Sequence, residues 1–296
     1  MAQGTRGISA GRFALELDGT DTGLLYTVEG GEQVATVVSE GADPEGVVRK
    51  HLGELEIVPI QISFGSGMGE PLYRWMADWL KGERPARRGA VVFFDNSFEE
   101  QSRLEFEDAL ITELAFPALD ASSKDQARFS LTLRPGATHS SKASAGTKRK
   151  GLTGKASKAM LASQFSLSID RLQAARITSV DALVVKQPVT WDSAQGVAVF
   201  GPLEIPDLVF TLPVSDAGDS VDWFEEFAIK GSNGEDIERS GTLEFVAPTT
   251  HTALFTLTLS HLGVYHIHRL RAETSSESIA RVRVAAYCEQ IAFSFA

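Results

Sequence analysis

An internal repeat limits what this chain of 296 residues can fold into more than any other feature of its sequence. The alternating run at residues 13–18 recurs at residues 165–170, which is 152 positions later, and Trp75 recurs as Trp223 after 148 positions. Landmarks that keep their order and nearly keep their spacing are the signature of a repeated structural unit. The sequence therefore predicts a tandem duplication of one domain.

Each copy of the repeat is predicted to contain one helix. Residues 71–82 place apolar side chains at the i, i+3, i+4 and i+7 positions of one helical face, begin with proline and end with glycine. Residues 221–231 repeat this aromatic-rich face and also end in Lys-Gly. Large apolar side chains on one helical face are most often packed against a core, so we expect these to be structural. They are Leu72, Trp75, Met76, Trp79, Trp223, Phe224 and Phe227.

Most of the remaining sequence is predicted to form strands. Residues 12–18 and 129–133 alternate apolar and polar side chains with a period of two, which is typical of half-buried strands. Residues 104–119 are predicted as a pair of strands, and residues 38–54 as a long excursion loop or an extended hairpin that contacts a neighbour. We therefore predict a mainly β fold with two tandem small β-barrels or sandwiches, each flanked by one α-helix.

Length and charge divide the chain into three parts. Two domains of roughly 130 residues suit a chain of this length. Residues 136–160 are rich in Gly, Ser, Ala and Lys, carry no acidic side chain, and cannot bury enough apolar surface to fold alone. We predict domains at residues 1–135 and 161–296, joined by a flexible basic linker at residues 136–160. The basic side chains of this linker are Lys142, Lys148, Arg149, Lys150, Lys155 and Lys158.

Both predicted domains are acidic, and the chain has a formal net charge of −11. Because acidic surfaces repel nucleic acid, we expect the basic linker to lie against an acidic surface of its own assembly. No apolar run approaches the roughly 18 residues of a membrane span, and the start of the chain lacks the apolar centre of a secretory signal. The sequence therefore predicts a cytoplasmic location during assembly and no membrane partner.

The sequence shows no residue pattern typical of an enzyme or of a cofactor site. His266 and His268 lie two positions apart and close to His261, but no CxxC, HExxH or carboxylate pair completes a metal site. The glycine run at residues 65–69 lacks the Gly-Lys-Ser/Thr ending of a phosphate-binding loop. Cys288 is expected to be a small buried apolar side chain. We therefore predict no catalytic residue, no metal ligand and no cofactor, and expect solvated or interface histidines.

The order of elements resembles the bacteriophage T4-type tail tube protein family and, more loosely, the haemolysin-coregulated tube proteins of type VI secretion. The resemblance rests on an opening strand that ends at Asp18, a Val-Glu-Gly step at residues 28–30 and the long loop at residues 38–54. It continues with a strand that enters the Trp-bearing helix at residues 60–80 and with a final alternating strand. It covers nearly all of the first half of the chain and, more faintly, the second half.

This resemblance implies a structural protein of a phage tail or a contractile injection system, whose domains form sixfold rings around a channel. Two domains on one chain imply three chains in each ring, so the ring is a trimer with pseudo-hexameric geometry, or else a hexamer. The implied partners are other copies of the chain, sheath, baseplate or spike proteins, and DNA or protein cargo that passes without specific binding. The implied mature location is the virion tail or the injection-system particle.

Two alternatives stay open at this point. Within the same class, a tube-initiator, hub or adaptor ring at the end of the tube would form a single trimer and would not polymerise. Outside this class, a ligand-binding pair of β-sandwiches would be a monomer with a saturable small-molecule site.

Overall fold

The computed structural model describes residues 11–42, 46–143, 160–172, 176–192, 197–271 and 279–296. The structure is 58% strand and 10% helix, which confirms the predicted mainly β fold. The first half contains β1 (Arg12–Leu17), β2 (Thr20–Leu25), β3 (Thr27–Glu29), β4 (Gln33–Ala42), β5 (Val48–Ile57), β6 (Ile60–Phe64), α1 (Glu70–Leu80), β7 (Arg87–Phe94), β8 (Glu100–Phe116), β9 (Leu119–Asp120), β10 (Phe129–Arg134) and β11 (Ala137–Lys142).

The second half follows the same plan with shorter elements at its start. It contains β12 (Phe165–Ile169), β13 (Ser179–Val180), β14 (Leu183–Lys186), β15 (Val189–Asp192), β16 (Val197–Phe200), β17 (Leu208–Pro213), a 3-10 turn (Val214–Asp216), α2 (Gly218–Phe224), a π-helical turn (Glu225–Ile229), β18 (Arg239–Val246), β19 (Ala253–Arg269) and β20 (Arg281–Phe295).

Six strands of each half follow the same spatial order. The order is β1-β7-β8-β10-β6-β3 in the first half and β12-β18-β19-β20-β17-β13 in the second. Every neighbouring pair in both series is antiparallel. The shared order confirms the tandem duplication that the sequence repeat predicts.

The two halves also share unusual backbone conformations. Phe98 and Asp108 have positive φ angles of 59° and 49°. His251 and His261, which lie 153 positions later, have φ angles of 53° and 58°. Residues other than glycine seldom adopt this left-handed region, so the repeat extends to the conformation of single residues.

The long strand β8 corrects the prediction of two strands at residues 104–119. It runs without a break for 17 residues, and its pairing with β7 shifts register between the partners of Arg87 and Gly89. Asp108, with its positive φ, lies at this bulge. A bulge bends a strand without ending it, so one strand can serve two sheets.

The predicted linker begins later than residue 136. Ala137–Lys142 forms β11, which pairs with β8 along residues 102–107. β10 and β11 together correspond to β20, which pairs along the full length of β19. Lys142 therefore lies in a strand, and the composition of this segment hid the strand because most of its side chains are polar and exposed. The remaining basic residues of the predicted linker, Lys148, Arg149, Lys150, Lys155 and Lys158, lie outside the described residues.

The two helices occupy the predicted places but differ in form. α1 has Pro71 in its first turn and ends before Gly82, which has a φ of 88°. This arrangement agrees with the roles of proline at helix starts and of glycine after helix ends. α2 has only seven residues and continues as a π-helical turn.

One large apolar core contains side chains of both halves. The Phe129 ring, which is fully buried, lies on β10 of the first half. Its centroid is 5.4 Å from that of Phe245, 5.1 Å from that of Phe255 and 6.4 Å from that of Phe293, all in the second half. Side chains from both halves therefore stabilise each other directly.

Candidate assembly surfaces

The β4–β5 hairpin projects from the first half with no strand partner in the described part of the chain other than itself. Each of its arms is ten residues long. The exposed fraction of its large apolar side chains runs from 43% at Val38 to 73% at Leu52. These exposed side chains are Val34, Val37, Val38, Val47, Val48, Leu52 and Leu55.

The most exposed of these side chains share one face of the hairpin. Ala35 pairs with Leu55 and Val37 pairs with Leu52. Residues that pair across strands share a face, as do residues two positions apart in a strand. We call Val37, Leu52 and Leu55 the hairpin stripe.

Exposure of the hairpin stripe to water is energetically unfavourable for an isolated chain. An isolated two-stranded hairpin is marginally stable in water, and burial of a Val or Leu side chain stabilises by about 1.5 to 3 kcal/mol. Contiguous exposed apolar surface is typical of an interaction site. The stripe is therefore a candidate contact surface.

The corresponding hairpin of the second half is much shorter. In the described residues, β15 and β16 each span four residues, with Val189 opposite Phe200. An isolated bridge between Lys186 and Glu204 flanks this hairpin. The two halves are therefore alike in their sheets and unlike in the hairpins that they project.

A strand junction connects the halves inside the chain. β14 of the second half pairs with the end of β8, from Leu183 opposite Phe116 to Lys186 opposite Glu113. Leu183 is buried, and Lys186 Nζ lies 3.5 Å from Glu113 Oε2. Beside this contact, β9 of the first half pairs with β13 of the second. One half therefore extends the sheet of the other by direct backbone pairing.

Helix α1 lies at this junction and contacts both halves. The Tyr73 ring centroid is 5.0 Å from that of Phe255 and 5.5 Å from that of Phe295, both in the second half. The Tyr73 hydroxyl donates to the Gly65 carbonyl oxygen at 3.0 Å and accepts from the Met68 N–H at 3.1 Å. Burial raises the pKa of Tyr73, so the ring stays neutral. The helix thus braces the junction.

A buried polar contact reinforces the brace. Trp79 Nε1–H donates to Gln187 Oε1 at 2.9 Å, and Gln187 Nε2–H donates to the Gly201 carbonyl oxygen at 3.1 Å. Gln187 is only 2% exposed. A buried amide without a partner would cost its full desolvation free energy. Separation of the halves would break this pair, so the contact stabilises their relative position.

Helix α2 lies at the equivalent place in the second half but leaves apolar surface open. Trp223 is buried, and the Arg239 guanidinium lies 4.4 Å from its ring centroid. Val221 and Ile229 are 47% and 69% exposed. Val221 lies 148 positions after Tyr73, which is 4% exposed. The same position is therefore covered in one half and open in the other.

The sequence-predicted helical residues lie in the core. Leu72, Trp75, Met76, Trp79, Trp223 and Phe227 are buried, and Phe224 is partly buried. Leu80, on the same predicted face, is also buried. The prediction omitted Tyr73 and Ala77, which are buried as well. Their i, i+4 spacing places them together on α1, and this spacing was the available signal for a helix packed on two sides.

The histidines do not form one site. His266 and His268 are exposed and stack with ring centroids 4.9 Å apart. His261 Nδ1 lies 2.8 Å from Glu238 Oε2, and Tyr287 donates its hydroxyl to Glu238 Oε1 at 2.6 Å. With Glu289, His261 and Glu238 offer ligand atoms within 4.8 Å of one another, which is the one grouping among the described residues able to hold a cation. The bonds of Glu238 to His261 and Tyr287 account for this cluster as a structural contact.

Helices long and apolar enough to cross a membrane are absent from the described residues.

No protein-family model and no curated protein matches the chain. Solved structures that resemble it include the anti-feeding prophage tube-terminating cap, with 18% identity over 48% of this chain and 96% of that chain, and a TM-score of 0.42. A chain of the sheath-tube complex of an extracellular contractile injection system has 19% identity over 46% of this chain and 93% of its own length, with a TM-score of 0.40. Hcp1 from Flavobacterium johnsoniae has 16% identity over 45% of this chain and 96% of its own length, with a TM-score of 0.32. Each of these chains is covered almost completely by about half of this one.

Proposed function

We propose that this chain is a structural subunit of a phage tail or of a phage-tail-like contractile injection system, and that it forms rings around a channel. The observation that carries the proposal is the duplicated six-strand order, in two halves that join by strand pairing within one chain. The proposed domains are residues 1–135 extended by β11 (Ala137–Lys142), and residues 161–296. Three chains then supply six similar domains to a ring of pseudo-hexameric geometry.

The junction inside the chain supports ring formation because it is heterologous. β14 of the second half meets β8 of the first, so different surfaces of the two domains are in contact. Repetition of a heterologous contact generates a closed ring when its rotation closes and an open filament when it does not. Closure also protects sheet edges that would otherwise be exposed.

The hairpin stripe is the proposed contact with the next layer of the assembly. It belongs to a hairpin that pairs with neither large sheet in the described residues, and a second apolar surface would bury Val37, Leu52 and Leu55. The proposed occupants are the next ring of the tube, or a sheath or baseplate protein. Cargo, whether DNA or protein, would pass through the channel without a specific site.

One observation favours an adaptor ring at the end of the tube as a second candidate. The hairpin of the first half has arms of ten residues, whereas the whole hairpin of the second half lies within residues 189–200, with four described residues in each arm. A ring of three chains would therefore project three long and three short hairpins. Such a ring is threefold on the hairpin face although its sheets are nearly sixfold, which suits a junction between sixfold and threefold parts.

Negative-stain microscopy together with native mass measurement of the purified chain tests the proposal. We expect rings whose mass is a multiple of three chains, and stacks if the chain forms the tube body. The double variant Leu52→Lys and Leu55→Lys should leave single rings and abolish stacking, because lysine keeps the hairpin soluble but removes the apolar contact. The matched control is Ile279→Lys, which changes an exposed apolar side chain away from the hairpin. A stable monomer with no rings at any concentration would refute the proposal.

A further inference from the structure

We propose that two copies of this chain join by backbone pairing between residues 31–34 of one copy and residues 266–269 of the next. This contact repeats, between chains, the strand junction that already exists inside each chain. The inference rests on the proposed function and names the contact that closes its ring.

The junction inside the chain uses one particular side of β8. β7 pairs with the first part of that side and β14 with its last part, at residues 113–116. β10 and β11 cover the opposite side along the whole strand. The last part of β8 is therefore paired on both sides.

The equivalent strand of the second half has an open side. β18 pairs with β19 only as far as Leu262, whereas β20 pairs with the opposite side as far as Arg269. Within the described ranges, no strand pairs with the β18 side of residues 266–269. Residues 266–269 lie 153 positions after residues 113–116, where β14 pairs in the first half. An exposed strand end of this kind is a ready template for another strand.

The first half carries the matching segment. Residues 31–34 come after β3 in the first half, just as β14 (Leu183–Lys186) comes after β13 in the second half. The two segments are 152 positions apart. Glu32, Gln33 and Val34 are exposed. β3 is the last strand of its sheet, whereas β13 is covered by β9. Residues 31–34 already pair on one side with residues 56–58, as Lys186 of the second half pairs with Glu204. Within the described ranges no strand pairs with the other side, so each copy retains one open strand side of each kind.

Charge agrees with the register that the internal junction dictates. Transfer of the β14–β8 register to the equivalent positions places Glu32 of one copy opposite His268 of the next and Val34 opposite His266. His266, His268 and Arg269 are all exposed along this strand. Arg269, one position from His268, carries a formal positive charge and Glu32 carries a negative one, so the two segments have opposite formal charges.

Helix α2 provides an independent sign of the same contact. Tyr73 on α1 is buried because it packs on Phe255 and Phe295 of the second half. Its equivalent on α2, Val221, is 47% exposed. The positions in the first half that correspond to Phe255 and Phe295 are Ser102 and Lys142. The contact between chains is thus more polar than the contact within a chain, as expected for an interface that forms after folding.

Disulfide trapping at the predicted register tests this inference. The chain carrying Glu32→Cys and His268→Cys should cross-link between copies on mild oxidation, because directly opposed strand residues meet the distance required for a disulfide. The register control carries Val34→Cys and His268→Cys, which are diagonal positions. The native Cys288 does not interfere, because burial raises the pKa of its thiol to about 11. We expect about tenfold more cross-linked chain for the opposed pair than for the diagonal pair, as covalent dimers and closed trimers.

Microscopy of the same samples separates this inference from the proposed function. Rings together with preferential cross-linking of the opposed pair support both. Rings without cross-linking, or with equal cross-linking of the two pairs, overturn the inference and leave the proposed function standing. Absence of any assembly, with no cross-linking in either variant, overturns both.

Discussion

Replacement of Tyr73 by alanine should weaken the cohesion of the two halves. The ring packs against Phe255, Phe293 and Phe295 at centroid distances of 5.0, 6.3 and 5.5 Å, and only 4% of the residue is exposed. Truncation of a buried aromatic side chain to alanine costs about 3 to 5 kcal/mol. At about 2 to 4 °C for each kcal/mol, the expected fall in Tm is roughly 6 to 20 °C.

The variant Tyr73→Phe measures the contribution of the hydroxyl group to stability separately from that of the ring. It keeps the ring but leaves the buried Met68 N–H without its acceptor and removes the bond to Gly65. An unsatisfied buried donor costs about 1 to 3 kcal/mol. The loss for Tyr73→Phe should therefore be smaller than the loss for Tyr73→Ala.

Urea unfolding followed by tryptophan fluorescence measures both effects. Trp75 and Trp79 report mainly on the first half, and Trp223 reports on the second. The matched control is Val221→Ala, which changes the equivalent but exposed position and should stay within about 0.5 kcal/mol of the parent chain. If Tyr73→Ala lowers the unfolding free energy by less than about 1 kcal/mol, and so by no more than the control does, this ring does not hold the halves together.

Three further predictions follow from buried groups. Trp75→Ala and Trp223→Ala should each lower the unfolding free energy by about 3 to 5 kcal/mol; loss of rings with unchanged stability in denaturation would instead make that face an interface. Gln187→Ala should cost about 1 to 3 kcal/mol, because it leaves the Trp79 indole N–H without its acceptor, and a denaturation midpoint equal to that of the parent would contradict this. Cys288 should resist Ellman's reagent at pH 8 in the folded chain and react fully in urea, because burial raises its pKa from 9.0 to about 11. Since the unfolded chain loses this proton first, the contribution of Cys288 to stability is constant below about pH 8 and falls between pH 9 and 11; denaturation midpoints measured across that range check the sign.

Local patterns made much of the fold predictable. The alternation at residues 13–18, the apolar face around Trp75 and the repeat of both in the second half depend on neighbouring positions in the sequence, so they predicted strands, a helix and a duplication. The observed six-strand order repeats in both halves, in agreement with that prediction.

The junction between the halves was not predictable in the same way. β14 is a short apolar run whose partner on β8 lies about 70 positions earlier, and single-sequence periodicity gives no information on such distant pairing. β11 was missed because its side chains are polar and mostly exposed, and backbone pairing with β8 rather than side-chain burial holds the strand in place. Residues 38–54 were predicted as a long excursion loop or an extended hairpin, but the hairpin stripe itself was not predicted, because the bulge between the partners of Ala35 and Val37 interrupts the alternation that would have revealed its apolar face.

The strand junction inside the chain also bears on how fast an assembly could form. Because β14 and β8 belong to one polypeptide, their pairing is intramolecular and takes place at an effective concentration in the millimolar range rather than at that of free subunits. In a ring of three such chains, half of the domain contacts would exist before any two chains meet. Only three contacts between chains would then remain to be formed, two by encounter and the last by closure of the ring, and the long and short hairpins would alternate without error because their order is set during synthesis.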